Sequence, residues 1–315
     1  MAVVAGIDEA GYGPRLGPLV VSSVAFAVPA AAADACLWQR LADVVTRSPR
    51  DRQRVAVNDS KRLFSQATGP RHIERTALAF AAAAGHRPAT FRALLACLAE
   101  LSEEPDAYPW YAGVDFALPI AASREQADAD AASLQAAQGA RFLGVHCLPV
   151  LVGEYNRLCA SHGTKSATLF LKTSHLLQRL WEAWGEEGLF VHVDKHGGRD
   201  HYAHLLYETF FGCRVRVLRE GRDESLYVVS NGLREMTVGF YKKGDARHLP
   251  IALASVYCKY VRELFLRGFN AYWQEQAPGV RPTAGYAVDA NRFLAETEAA
   301  RRRLGTDEGL LIRAR

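Results

Sequence analysis

Two runs of apolar, largely β-branched residues open the chain, "VVAGID" at 3–8 and "PLVVSSVAFAV" at 18–28. The glycine- and proline-punctuated "EAGYGPRLG" between them predicts a hairpin of the longer-loop kind. Further short runs, "HCLPVLV" at 146–152 and "LFVHVD" at 189–194, read as strands, and the second ends in Asp194 just as the first ends in Asp8. Between them, Leu169, Leu176, Leu177, Leu180 and Trp184 recur at helical spacing. "FGCRVRVL" predicts another strand, and the segments flanking "SNG" at 230–232 predict a second hairpin.

From Pro250 onward, "PIALASVYCKYVRELFLRGFNAYW" predicts a long helix with proline in its first turn. Ala252, Ser255, Lys259 and Arg262 share one face of it. A face of small and basic residues reads as a groove for a phosphate backbone, or as an ordinary solvated surface. The segment 65–144 has a different character, alanine-rich and acidic in its second half. Helices are predicted there at "ERTALAFAAAAG" and "FRALLACLAEL", and the segment reads as an insertion or subdomain, or else as an extension of the main core.

Composition changes this picture little. Hydrophobic residues make up 49% and charged residues 23% of 315, the balance of an ordered globular protein that crosses no membrane. Net charge is only +4, so attraction for a polyanion depends on how charge is distributed, with basic stretches at 213–222, 241–247 and 301–303. Six scattered cysteines form no CxxC pair, which argues against a zinc knuckle or a disulfide framework and fits a reducing compartment. The apolar stretch at 19–35 lacks the positive start of a secretory signal, so a cytoplasmic location is expected. No heptad seam is visible, and a monomer is the default.

The carboxylates carry the chemistry. Asp8 and Glu9 lie side by side where an apolar strand gives out, and the glycines that follow let the backbone bend so that both can face one place. Asp194 ends a second strand, and Asp245 precedes the 250s helix, where it could also be a helix cap. Asp223 competes with Asp245 as a fourth acid. Carboxylates gathered at one point repel one another, so such a site is stable with hard divalent cations in it. Two such ions would activate water for in-line attack at phosphorus.

"GIDEAGYGPRLGPLVVSSVAF" resembles the opening motif of the type 2 ribonuclease H family, ribonuclease HII and its relatives. "NDSKRL" at 58–63 is similar to that family's DSK motif, and "FVHVD" to its central strand ending in aspartate. "KKGDARHLPIALASVYCKYVREL" resembles its last motif, a GD followed by a helix, and "AGYAVDANRFL" its terminal glycine-tyrosine segment. The resemblance implies a ribonuclease H-like α/β fold, a central mixed sheet flanked by helices, as one catalytic domain over 1–315 with a helical C-terminal part from about 265. It implies Mg2+ or Mn2+ held by Asp8, Glu9, Asp194 and Asp245, the catalytic set. The implied substrate is RNA in an RNA–DNA hybrid or a ribonucleotide embedded in duplex DNA, cut to leave a 3′-OH and a 5′-phosphate. Lys61, Ser255, Lys259 and Arg262 would contact phosphates, Gly11 and Gly13 would approach the sugar, and Tyr286 would lie against it.

The chain departs from the family's pattern in two places. Tyr12 stands where the family turn usually has arginine, and tyrosine lacks the guanidinium's fork of donors. The gap from Asp194 to Asp245 is also longer than the family's, and Lys195, His196, Arg199 and His201 follow the third acid directly. His196 reads either as a proton donor to a leaving group or as a surface histidine. A nucleic-acid-binding homologue with little or no nuclease activity, and a nuclease for another nucleic-acid structure, stand as alternatives.

Overall fold

The computed structural model describes residues 1–64 and 69–314. In chain order its elements are β1 (Ala2–Ala10), β2 (Leu19–Val28), α1 (Leu37–Arg40), β3 (Val45–Thr46), β4 (Val55–Ala56), α2 (Ser60–Leu63), α3 (Arg71–Ala83), α4 (Phe91–Leu98), α5 (Arg124–Ala136), β5 (Arg141–Val150), α6 (Val152–His162), α7 (Lys165–Trp184), β6 (Leu189–Asp194), α8 (Ala203–Thr209), β7 (Arg214–Arg219), β8 (Glu224–Ser230), β9 (Glu235–Tyr241), α9 (Gly244–Arg247), α10 (Leu249–Gln276), α11 (Ala287–Glu296), α12 (Glu298–Leu304) and α13 (Glu308–Leu311).

Seven strands form one sheet in the order β5-β2-β1-β6-β9-β8-β7. The expected hairpin is there, with β1 antiparallel to β2 and β2 antiparallel to β5. At the centre β1 runs parallel to β6 and β6 parallel to β9, which makes the sheet mixed, as expected. The hairpin across "SNG" joins β8 to β9, and β7 pairs antiparallel with β8 at the outer edge.

Alternation along the central strands feeds two cores, one on each face of the sheet. Val3, Ala5 and Ile7 of β1 join Leu169, Leu176 and Leu180 of α7 on one face. Val4 of β1 and Val20 and Phe26 of β2 join Ala252, Val256 and Tyr260 of α10 on the other. Each large buried aliphatic side chain contributes roughly 1.5–3 kcal/mol. Phe80, Phe91, Leu94 and Trp110, from the 65–144 segment, lie in the same cluster as the α10 residues, so the described part of this segment extends that core. Its first four residues, 65–68, lie outside the described ones. β5 begins at Arg141 rather than near 146, so the end of that segment is already sheet.

The contact that sets the site is between α10 and β1. A Cβ at Gly6 would stand 2.2 Å from the carbonyl carbon of Pro250, which no real contact allows. Glycine at this position lets the first turn of α10 lie directly on the strand backbone. The face of Ala252, Ser255, Lys259 and Arg262 is therefore not an open groove, which corrects the sequence reading. Ala252, Ser255 and Arg262 are buried, and the Lys259 ammonium pairs with Glu263 at 2.6 Å while lying 4.4 Å from the centre of the Phe64 ring.

Candidate active site

Strand register brings the first and third acids together. Ile7 pairs with Val193 in the parallel β1–β6 ladder, so the next residue of each strand, Asp8 and Asp194, stands beside the other on the α10 face. Asp194 accepts a hydrogen bond from the Gly244 amide at 2.7 Å, which fixes the turn carrying Asp245 next to it. That turn needs a left-handed residue, and Lys243 takes φ 55° to make it. Asp223 sits exposed in the β7–β8 turn, whereas Asp245 lies close enough for its charge to act on Asp194.

Glu9, one residue on, turns toward the other side of the strand end, yet it still feels Asp194. Asp8 is buried; it accepts from the Glu9 amide at 2.8 Å and from the Ser255 hydroxyl, which itself lies 3.0 Å from the Ser60 hydroxyl. Burial, then the charges of Glu9 and Asp194, hold the Asp8 carboxyl well above the usual carboxylate range. Burial and Asp194 push Glu9 up to about 8, and burial pushes Asp194 up to about 6. Asp245 is raised in the same direction by burial and by Asp59.

Asp59 is a fifth acid in this neighbourhood, acting on both Asp194 and Asp245. It caps α2, accepting the Lys61 amide at 2.9 Å, and sequence reasoning passed over it although it stands inside the DSK triplet. The cation acting on Glu9, Asp194 and Asp245 is Lys61, whose exposed side chain lies beside them.

The Gly11–Gly17 turn closes the β2 side. Gly11 takes φ 89°, and a Cβ there would meet the Pro18 carbonyl at 2.6 Å and the Arg262 side chain at 2.7 Å. Arg262 donates to the carbonyls of Leu16 (3.1 Å) and Ala284 (3.0 Å), and Arg313 donates to the carbonyl of Gly11. Arg262 is 1% exposed and braces the turn from inside, so the expectation of a phosphate contact there is corrected. Ser255 is likewise buried against Asp8 and Ser60. Gly13 is exposed with open space around it, whereas Gly11 is enclosed. Tyr12 is half-buried between Glu9 and Arg199, and Tyr286, 50% exposed, stands by Arg262 at the same turn.

His196 corrects both sequence readings. It is neither on the surface nor within reach of a substrate, being 4% exposed with Nε2 3.2 Å from the Thr173 hydroxyl. Its ring lies among Phe170, Tyr202 and Phe240.

Four buried or half-buried acids from two strand ends and a turn thus gather without an ion pair among the described residues. That donor set, all carboxylate oxygen, fits a hard divalent cation. As the side chains stand, no group of three or more His, Cys, Asp or Glu among the described residues is tight enough to chelate one. The Asp8 carboxylate, turned onto the Glu9 amide and Ser255, would have to swing outward to do so.

No family model matches the chain, and no curated protein matches it. Among solved structures it is similar to ribonuclease HII of Archaeoglobus fulgidus, solved in complex with PCNA, at 18% identity over 99% of this chain and 94% of that one, with a TM-score of 0.46. Ribonuclease H2 of Pyrococcus horikoshii OT3 matches at 16% identity over 98% and 92%, with a TM-score of 0.48. Bst-RNase HIII in complex with Mn2+ matches at 14% identity over 99% and 66%, also with a TM-score of 0.48. Along almost its full length, then, the chain is similar to these three structures, at 14–18% sequence identity.

Proposed function

We propose that this protein is a divalent-metal-dependent endoribonuclease that hydrolyses the RNA strand of RNA–DNA hybrids, or a ribonucleotide embedded in duplex DNA, leaving a 3′-OH and a 5′-phosphate. The observation that carries the reading is that Asp8 and Asp194 stand side by side at the ends of β1 and β6, with Glu9 and the turn bearing Asp245 adjoining them and no salt bridge to any of the four among the described residues. These four residues would hold Mg2+ or Mn2+, which when bound supplies an activated water and charge neutralisation at the scissile phosphate.

The chain's own groups do the rest. Lys61 offers an exposed positive charge beside the acids, where a phosphate must approach. The open backbone at Gly13 allows close approach to a sugar, and a protein senses RNA through the 2′-OH in a wide minor groove. Tyr12 and Tyr286 flank that turn and offer ring faces and single hydroxyl donors.

Incubating the protein with labelled duplexes (hybrid, single embedded ribonucleotide, all-DNA, all-RNA) in Mg2+ and in Mn2+ tests the reading. Cleavage of the first two alone is expected. Asp8→Asn and Asp194→Asn should each abolish cleavage with the far-UV circular dichroism unchanged, and full metal-dependent activity in Asp8→Asn would refute the assignment. A second reading, a binding homologue with little nuclease activity, is favoured by Tyr12 and by the turned-away Asp8 carboxylate. Hybrid binding in EDTA with no cleavage in either metal would select it.

A further inference from the structure

The β3–β4 loop, residues 47–54, reads "RSPRDRQR", four arginines against one acid. It is a built loop. Asp51 accepts the amides of Gln53 (2.9 Å) and Arg54 (3.1 Å) and the Arg54 guanidinium (2.7 Å), and Ser48 accepts the Arg50 amide at 3.3 Å. The Arg52 carbonyl is held by Arg75 at 3.3 Å. Its single acid is consumed by Arg54. Arg50 and Arg52 are left exposed, with no acidic partner among the described residues.

The loop is tied to the acids' own scaffold at both flanks. Arg47 lies 3.6 Å from the centre of the Trp38 ring and donates to the carbonyl of Ala246, the residue after Asp245, at 3.2 Å. Asn58, the residue before Asp59, donates to the Arg47 carbonyl at 2.8 Å. Strand order places this side, reached through β9 and α9, across the acid row from the Gly11–Gly17 turn on the β2 side. Lys61 lies by Asp245, and the exposed Lys242 and Lys243 precede it in the chain, with no acidic ion-pair partner for the last two among the described residues.

We infer that the 47–54 loop is a preorganised grip for the phosphate backbone of a nucleic-acid duplex, with Arg50 and Arg52 as the contacting side chains, holding the duplex on the α9 side of the acids. The inference rests on the proposed nuclease reading for the identity of the ligand. In the basic 301–303 stretch, by contrast, Arg301 and Arg302 are spent on Glu308 and Glu298. The exposed Arg214 and Arg216 sit on the outermost strand, β7, far from the acid row in strand order.

Binding of fluorescent hybrid and all-DNA duplexes in EDTA, from about 50 to about 200 mM salt, reads the loop directly, because each phosphate that a basic side chain neutralises steepens the fall of log K with log salt by about 0.9. Arg50→Ala/Arg52→Ala should make that slope shallower by about 1.8 on both duplexes. Arg214→Ala/Arg216→Ala should leave it unchanged. An unaltered slope in the loop variant, or an equal change in both variants, overturns the inference, and so does a wild type that binds neither duplex. Cleavage separates this from the nuclease reading. A wild type that binds but cuts nothing in Mg2+ or Mn2+ sinks the nuclease reading and leaves the grip, whereas a wild type that cuts while the loop variant keeps its slope sinks the grip alone.

Discussion

His196 stands two residues beyond the end of β6, in a nest of aromatic rings, and burial followed by the Arg199 charge lowers its imidazole pKa to about 3. The folded protein therefore keeps it neutral, whereas an unfolded chain takes up a proton below about 6.5. Its contribution to stability is present above that pH and is lost as pH falls toward 3. His192 (about 3) and His248 (about 4), stacked with ring centres 4.0 Å apart, act with the same sign. The raised acids Asp8, Glu9 and Asp194 act with the opposite sign in wild type and variant alike, so the readout is the difference between the two proteins: the urea midpoint of His196→Phe should gain on that of the wild type as pH falls from 7 to 4. A difference that stays constant over that range would show that His196 carries none of the pH dependence. Nothing in the sequence distinguishes this histidine from a surface one, since its burial is decided by Thr173 and Tyr202, which only the fold brings to it.

Elements are most legible where side-chain period and packing agree. β6 can be read to the residue, because Leu189, Val191 and Val193 alternate with half-exposed positions. α5 escapes the pattern. It buries only Ala127, Asp130, Ala131 and Leu134, so its inward face carries too little apolar bulk to show a period, although Ser123 followed by Gln126 is a capping signal. The face of α10 misleads for the opposite reason. Serine and arginine there look solvent-bound, but they are satisfied internally by Asp8 and Ser60 and by backbone carbonyls that come from the first turn and from Ala284. Glu74 of α3 is a further case of a buried charge satisfied at long range. Fully buried, it accepts the amides of Ile120 (2.7 Å), Ala121 (2.6 Å) and Ala122 (2.8 Å) and the Tyr260 hydroxyl (2.9 Å), fastening the segment before α5 to α3 and α10. Glu74→Gln turns an amide donor toward those donors and should cost about 2–3 kcal/mol in urea denaturation, against about 1 kcal/mol for Tyr260→Phe. Equal midpoints for Glu74→Gln and wild type would exclude the fastening role.

At the scale of the molecule, each acid taken singly reads as an ordinary turn or cap residue, and it is the order of the motifs along the chain that points to one site without any coordinates. What no motif shows is that the site's first turn is held by a residue 302 positions further along the chain. Arg313, 3% exposed and 3.9 Å from the centre of the Tyr155 ring, donates to Gly11, and its own amide donates to Arg15 at 2.9 Å. Arg313→Ala should speed amide hydrogen exchange over residues 11–17 while leaving β6 and β9 protected, and should lower cleavage by up to about 100-fold through misplacement of Glu9. Unchanged exchange in the turn would remove Arg313 from this role. During synthesis the order of events follows from the same contact. A nascent chain carries Asp8 and Glu9 long before it carries Arg313, and the turn beside them stays unclamped until that arginine has been made and has cleared the ribosome's exit tunnel.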